Sequence, residues 1–227
     1  MSFTLVNSAA TSNNGSGSSL GVALSGTPVS AGDLVVVTAS CGGAGIGIDS
    51  VSDGTTTFST LTQLTSGNNG ARIRGFYLLA SVATGLPTYT VTFSANCTSR
   101  SITVYIFTPT AAVTFDQQNG TEVIASTNGV SGNVTTTGTD EMVLASQMNE
   151  NQSASSSEQI NSLAATGSIN SGTNHTLWYL AFASTFTGQA TETIGSSTRI
   201  LTIIAGFKIA VAAKPTGPFP TSRPDLP

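Results

Sequence analysis

Residues 88–94 read Thr88-Tyr-Thr-Val-Thr-Phe-Ser94, and this stretch decides the fold class. Large apolar side chains alternate with hydroxyl side chains, so Tyr89, Val91 and Phe93 fall on one face of an extended chain. Period-two alternation of β-branched and aromatic residues is the pattern of a half-buried β-strand. The same alternation recurs in Ser101-Ile-Thr-Val-Tyr-Ile-Phe107.

Similar stretches continue in both directions, separated by turn signals such as Ser52-Asp-Gly54, Gln118-Asn-Gly120 and Asn128-Gly129. Short strands with turns about every ten residues predict a sandwich or a jelly roll. We expect an all-β, antiparallel domain of about 10–12 strands over residues 1–213. Strands are predicted near 3–6, 19–24, 33–40, 58–64, 71–80, 88–94, 101–107, 133–137, 141–147, 176–184, 190–194 and 199–208. Residues 149–165 are interpreted as a loop or an extra hairpin.

Residues 30–110 resemble residues 138–210 in sequence, which suggests an internal pseudo-repeat. Phe76–Gly85 aligns with Tyr179–Gly188, and each stretch is followed by a Thr-x-Thr pair. Two interpretations remain open: duplication of one unit, or chance self-similarity in a chain rich in Thr, Ser and Ala.

The composition excludes several functional classes. Charged residues make up 8% of the chain, against about 25% in an ordinary domain. The chain contains 31 Ser and 36 Thr, so neutral hydroxyl residues make up much of its polar content in place of charged ones. A net charge of −4 with seven basic residues argues against nucleic-acid binding. The low charge also argues against disorder.

The motifs support no catalytic role. One His and two Cys leave too few ligands for most zinc or iron sites. Gly17-Ser-Ser-Leu-Gly21 matches the nucleophile elbow but lacks the strand and helix that this motif requires. We therefore expect no catalytic residue, no metal and no cofactor. The mostly apolar residues 200–213 are too short to cross a bilayer, so we expect no membrane insertion.

Both cysteines follow predicted strands. Cys41 comes after residues 33–40, and Cys97 comes after residues 90–96. The two strand ends either meet in a disulfide outside the cell or hold two unpaired apolar side chains.

The N-terminal residues bear on whether the chain is secreted, and the C-terminal residues bear on contacts with other subunits. The first residues have no basic region and no apolar stretch typical of a secretory signal. Residues 214–227 contain five of the eight prolines, so we expect an extended tail. This tail is a candidate contact with a neighbouring subunit. Its candidate contact residues are Pro215, Pro218, Phe219, Pro220, Arg223 and Leu226.

One aromatic cluster suggests a different role. His175, Trp178 and Tyr179 lie close together at the start of a predicted strand. They form either a platform on which sugar rings stack or part of the sandwich core, which also needs aromatic side chains.

Several motifs resemble a β-sandwich domain of phage virion structural proteins, which include capsid decoration, cement and tail-associated proteins. The resemblance covers residues 30–208. It departs from the family at Ser52-Asp-Gly-Thr55, where the family has a longer turn. The stretches that carry it are Ser30-Ala-Gly-Asp-Leu-Val-Val-Val-Thr-Ala-Ser40, Val51-Ser-Asp-Gly54, Arg72-Ile-Arg-Gly-Phe-Tyr-Leu-Leu-Ala80, Tyr89-Thr-Val-Thr-Phe-Ser94, Val104-Tyr-Ile-Phe107, Phe115-Asp-Gln117 and Ile203-Ile-Ala-Gly-Phe207.

The resemblance implies a fold and a virion or cell-surface setting. We expect a capsid decoration or cement protein on the virion surface that binds the major capsid protein or other virion proteins and forms homo-oligomers. The alternative is a receptor-binding or fibre module, extracellular or at a cell surface, that recognises host glycans.

Overall fold

The computed structural model describes residues 2–171 and 175–210, and these residues form sixteen β-strands and no helix. The strands are β1 (Phe3–Asn13), β2 (Gly17–Ala23), β3 (Leu34–Gly42), β4 (Ile48–Ser52), β5 (Ser59–Thr65), β6 (Arg72–Leu79), β7 (Thr88–Pro109), β8 (Val113–Val130), β9 (Val134–Thr135), β10 (Glu141–Asn149), β11 (Ser155–Ile160), β12 (Leu163–Ala164), β13 (Gly167–Asn170), β14 (His175–Phe182), β15 (Thr187–Gly188) and β16 (Ala190–Ile209). All strand pairs are antiparallel, so the predicted all-β fold is confirmed.

Strand β7 organises the first half of the molecule, residues 2–109. Its first part, which contains the alternating residues 88–94, pairs with β2 and β4. Its second part pairs with β1 and β3, and β6 and β5 extend that sheet in the order β1-β7-β3-β6-β5. The second part of β7 lies in the β1-β7-β3-β6-β5 sheet, and the apolar face of residues 88–94 packs against this sheet. Tyr89, Val91 and Phe93 therefore belong to one apolar core with Val35 and Val104.

Strand β16 has the same position in the second half, residues 113–209. Its first part pairs with β11, its second part pairs with β10, and β8 follows it along the other edge. The strand order β8-β16-β10-β14-β13 matches the order β1-β7-β3-β6-β5 of the first half. The bridge between Val29 and Gly85 likewise has a counterpart in the pairing of Val134 with Gly188. The pseudo-repeat itself stays a prediction.

The two halves pack against each other through their central sheets. Leu34, Tyr105 and Phe107 from the first sheet share a core with Met142 and Phe207 from the second. We call this contact the central interface. Because each central sheet also covers the apolar core of its own half, both of its faces are buried, and β3 and β10 are buried along nearly their whole length.

Strand β8 corrects the sequence interpretation. The Asn-Gly pairs at 119–120 and 128–129 were interpreted as turns, but both lie inside this strand. A Cβ at Gly120 would stand 3.0 Å from Leu64 Cδ1, and a Cβ at Gly129 would overlap the Gln147 side chain. These glycines allow close packing on the strand, which sequence alone does not distinguish from a turn.

The strand count also differs from the 10–12 expected. Each of β7 and β16 joins two predicted strands into one, because a strand that changes sheets needs no turn. Short strands such as β4, β13 and β15 were missed, because two to five residues carry too little periodicity, whereas β9 lies inside the strand predicted near 133–137. Residues 155–164 form a hairpin of β11 and β12, which was one of the two interpretations of that segment.

Candidate functional site

Two connecting loops of the first half lie side by side and form what we call the loop surface, residues 24–32 and 80–87. Four backbone hydrogen bonds tie the loops together: Leu24 N–H to Pro87 O at 3.1 Å, Val29 N–H to Gly85 O at 2.7 Å, Thr84 N–H to Val29 O at 3.3 Å and Gly32 N–H to Ala80 O at 2.7 Å. Leu24, Val29 and Ala80 are buried beneath these bonds. The loops are therefore held in one conformation by backbone pairing and by apolar contacts.

The tips of the loop surface are apolar and exposed. Val82 is 62% exposed, Leu86 48% and the neighbouring Leu79 39%. Neither loop contains a charged residue. Asp33, at the base of the surface, is buried, and its carboxylate accepts the Ser30 N–H and the Thr108 hydroxyl, each at 2.7 Å.

The corresponding end of the second half differs in both respects. Phe186, in the loop before β15, is buried and packs on Phe182 with a centroid distance of 4.6 Å. A salt bridge lies at the same end, where Lys208 Nζ is 2.7 Å from Asp116 Oδ1. Of the five large apolar side chains exposed in the described residues, three lie together in sequence at this end of the first half, namely Leu79, Val82 and Leu86. An exposed apolar group on a rigid surface marks a site of contact more often than an isolated surface leucine does.

Several of the few charged residues bond to the protein's own backbone or to each other. Arg100 is buried and donates to Ser19 O and, at 2.8 Å, to Gly15 O, which fixes the turn between β1 and β2. Arg74 donates to Ile48 O at 2.7 Å. Arg199 pairs with Glu122 at 2.8 Å. Few charges are left to define an electrostatic binding site.

The predicted glycan platform is wrong for two of its three residues. His175 and Trp178 are fully buried, and Tyr179 is partly buried against Tyr105 and Phe107. Strand β14 lies between β10 and β13, and apolar layers cover both of its faces. His175 and Tyr179 face the central interface, while Trp178 faces the core of the second half, where its Nε1–H donates to Gln159 O at 3.3 Å. No sugar reaches such a surface.

His175 instead forms the centre of a buried polar group in the central interface. Its Nδ1 lies 2.8 Å from the Ser101 hydroxyl, and its Nε2 lies 2.9 Å from the Ser146 hydroxyl and 3.1 Å from the Thr38 hydroxyl. Burial lowers the pKa of His175 to about 3, so the ring is neutral. Hydroxyls from both halves therefore share one neutral imidazole. With Ser40 and Thr103, which bond to Ser101 and Thr38, these residues form what we call the hydroxyl cluster.

The second half contains a buried acid, Glu192, that was not predicted from the sequence. Glu192 is 1% exposed, and within the described part of the chain neither of its carboxyl oxygens has a hydrogen-bond partner. Burial and the nearby charge of Glu158 raise the pKa of Glu192 to about 8, although the adjacent hydroxyls of Ser155 and Thr176 lower it in part. The pseudo-repeat contains a hint of this buried position. It aligns Thr191-Glu-Thr193 with Thr88-Tyr-Thr90, so Glu192 occupies the place of the core residue Tyr89.

Cys41 and Cys97 are brought together as the sequence suggested, but the structure has both as buried free thiols. Burial, the neighbouring Cys97 and a hydrogen bond between the two side chains raise the pKa of Cys41. The disulfide itself stays a prediction.

The state of these thiols is open to a direct test. A thiol reagent such as DTNB is expected to react with neither cysteine in the native protein, because burial keeps both protonated and covered. In denaturant without reductant, both are expected to react. If neither reacts in denaturant until a reductant is added, the protein holds the disulfide and the free-thiol state is wrong.

The candidate tail contacts Pro215, Pro218, Phe219, Pro220, Arg223 and Leu226 lie outside the described residues. Residues 2–171 and 175–210 include no helix of the length and apolar character needed to span a membrane.

Comparisons with known proteins add no assignment of function. No protein-family model matches the sequence, and no curated protein matches it. One solved structure, a conserved protein of unknown function from Pseudomonas aeruginosa PAO1, is similar to this chain with 10% sequence identity and a TM-score of 0.31. The match covers 91% of this chain and 80% of the Pseudomonas chain. A likeness at this level supports no inference about activity or partners.

Proposed function

We propose that this chain is a structural protein of a bacteriophage virion, a capsid decoration or cement protein that binds neighbouring shell subunits through its loop surface. The observation that carries the binding role is the pair of rigid loops with exposed Val82 and Leu86 and no charged residue. The virion setting rests on the resemblance of residues 30–208 to phage β-sandwich domains. The role is binding rather than catalysis.

The energetics of such a contact are favourable. Burying one side chain of the size of Val or Leu contributes about 1.5–3 kcal/mol. No charged side chain of these loops loses its hydration when a partner covers them. Because the loops are already ordered by four backbone hydrogen bonds, binding costs little conformational entropy.

The partners we propose are the major capsid protein or other virion proteins, and further copies of this chain. An obligate contact that is formed once and kept is the type of interface that is apolar at its centre and depleted in charge. The loop surface has this composition on one face of the protein.

The first test is whether the chain is part of particles. Mass spectrometry of gradient-purified virus particles from a lysate that contains the chain is expected to find it in a constant ratio to the major shell protein. Its absence from purified particles would show that the proposal is wrong.

The second test places the contact. We expect the double variant Val82→Asp/Leu86→Asp to lose at least about tenfold, more than 1.4 kcal/mol, in binding when it is added back to particles stripped of the wild-type chain. Co-sedimentation with the particles measures this binding. The reason is that two carboxylates would have to be desolvated in an apolar contact.

The chain offers a matched control. Ile124 and Leu163 are also exposed apolar residues, 60% and 53% exposed, but they belong to the second half. The double variant Ile124→Asp/Leu163→Asp is expected to bind particles as the wild type does. Equal loss of binding in both double variants would rule out the loop surface as the specific contact.

A further inference from the structure

A cleft of about 260 Å³ opens at the end of the central interface, where the first half meets the second. Strands β3 and β7 supply one wall, and the end of β10 with the turn after it supplies the other. The lining residues are Gly42, Gly43, Asn69, Ala71, Thr98, Ser99, Met148, Glu150 and Gln152. The cleft and the loop surface lie at opposite ends of β3, which runs from Leu34 to Gly42.

The walls of the cleft are held in an unusual backbone conformation. Ser99 from the first half has a φ of 50°, and Gln152 from the second half has a φ of 54°. Left-handed backbone is unfavourable for residues other than glycine and often marks a functional site. The two side chains meet across the cleft, with Gln152 Nε2 3.5 Å from Ser99 Oγ.

A glycine closes the rim on the side of the first half. Gly70 has a φ of 72°, and a Cβ there would stand 2.6 Å from Ala44 Cα. The 69–71 turn therefore packs directly on the Gly-rich segment that follows β3. Asn69 is fixed on this turn, because its Oδ1 accepts the Ala71 N–H at 2.9 Å.

The chemistry of the lining is polar and mixed. Asn69 and Gln152 are amides, and Thr98 and Ser99 are hydroxyls, so all four both donate and accept hydrogen bonds. Glu150 adds one carboxylate, of which Oε1 accepts a hydrogen bond from the Ser66 hydroxyl. Met148 and Ala71 also line the cleft, but both are almost fully buried.

The lining also indicates what does not bind. It contains one carboxylate and no cationic side chain, so an anion such as phosphate would meet repulsion without a compensating charge. A simple ammonium ion only donates hydrogen bonds and would leave the amide and hydroxyl donors unused. A neutral ligand with neighbouring hydroxyls, each able to donate and accept, matches the groups present.

We propose that this cleft binds one neutral sugar ring, with Glu150, the Thr98 hydroxyl and the amides of Asn69 and Gln152 bonding its hydroxyls. A volume of about 260 Å³ lies below the roughly 300–1,000 Å³ of sites for drug-sized ligands. A single ring is therefore the appropriate size. The proposal does not depend on a virion role.

The test uses the full chain and four probes, glucose, galactose, mannose and N-acetylglucosamine, each titrated separately by calorimetry and by saturation-transfer NMR. At least one sugar is expected to bind in the millimolar range or more tightly. Glu150→Gln and Thr98→Val, which keep the shape of the cleft, are each expected to weaken that binding about tenfold, the loss of one good hydrogen bond to a charged or buried partner.

The controls separate this site from others. Glu158→Gln and Thr193→Val make the same chemical changes away from the cleft and are expected to leave sugar binding unchanged. Val82→Asp/Leu86→Asp is also expected to bind sugar normally, so failure of the loop-surface contact and failure of the cleft are distinguishable. Circular dichroism and thermal unfolding establish that each variant is folded.

Three results would overturn the proposal. One is that none of the four sugars binds. Another is that a sugar binds equally well to Glu150→Gln and to Thr98→Val. The third is that inorganic phosphate binds and displaces the sugar, because an anion site contradicts the charge of this lining.

Discussion

Replacing His175 with alanine is expected to lower the free energy of unfolding at pH 7 by about 3–4 kcal/mol, the sum of a buried cavity and lost hydrogen bonds. The imidazole is fully buried, and its two nitrogens bond hydroxyls of Ser101, Ser146 and Thr38 at 2.8–3.1 Å. Without the ring, those hydroxyls lose one partner each in a site that water does not reach freely. Chemical denaturation monitored by tryptophan fluorescence measures the change.

The effect of this variant should depend on pH in a defined direction. Because the folded pKa of His175 is about 3 and the unfolded value is about 6.5, the unfolded state binds more protons between these two pH values. The wild type therefore loses stability as the pH falls from 6.5 toward 3, whereas the alanine variant lacks this loss. We expect the deficit of His175→Ala to be smaller at pH 4.5 than at pH 7.

A double-mutant cycle provides the control. Ser101→Ala removes the partner of Nδ1, and the coupling between Ser101→Ala and His175→Ala is expected to be about 1 kcal/mol or more. An exposed substitution, Thr193→Ala, is expected to be nearly neutral. If His175→Ala stays within 1 kcal/mol of the wild type at pH 7, the hydroxyl cluster does not stabilise the central interface.

Replacing Glu192 with glutamine is expected to abolish a loss of stability of about 2–4 kcal/mol that the wild type shows as the pH rises from 5 to 8.5. Burial raises the folded pKa of Glu192 to about 8 from an ordinary value of 4.5. The folded state therefore holds a proton that the unfolded state has released, and stability decreases with pH through this window. Glutamine is neutral at every pH and has nearly the same shape.

Other groups that titrate in the same range define the controls. Glu141 is also buried, and burial and the charge of Asp116 raise its pKa to about 7, despite a hydrogen bond from the Gly138 N–H. The difference in pH slope between the wild type and Glu192→Gln from pH 7.5 to 8.5 therefore isolates Glu192. His175 and most of Glu141 have titrated below this interval, and the two buried cysteines contribute equally in both proteins. Asp49→Asn serves as the surface control. A pH slope over this interval that is the same in Glu192→Gln and the wild type would contradict a protonated Glu192.

Much of the fold followed from local patterns. The alternation at 88–94 predicted a half-buried strand, and β7 begins at Thr88 with Tyr89, Val91 and Phe93 buried. Strands β3 and β10 also lie where strands were predicted, near residues 33–40 and 141–147. The Asn-Gly pairs in β8 show the limit, because a glycine that allows a close contact looks in sequence like a glycine that makes a turn.

The functional residues were less accessible to sequence reasoning. His175 and Trp178 are three residues apart in β14, so their side chains point to opposite faces of the strand. The sequence does not show that both of these faces are covered. The cleft combines Ser99 and Gln152, which are 53 residues apart. Their proximity arises only when the two central sheets pack together.

The sequence by itself determined the fold class, the low charge and the pairing of polar and apolar faces, because each depends on neighbours within one strand. The tertiary structure alone decided which faces are exposed. It buried His175 and Glu192, left Val82 and Leu86 in solvent, and brought Cys41 to Cys97. The physical reason is that burial depends on which sheet covers a strand, and that covering sheet lies more than a hundred residues away in the chain.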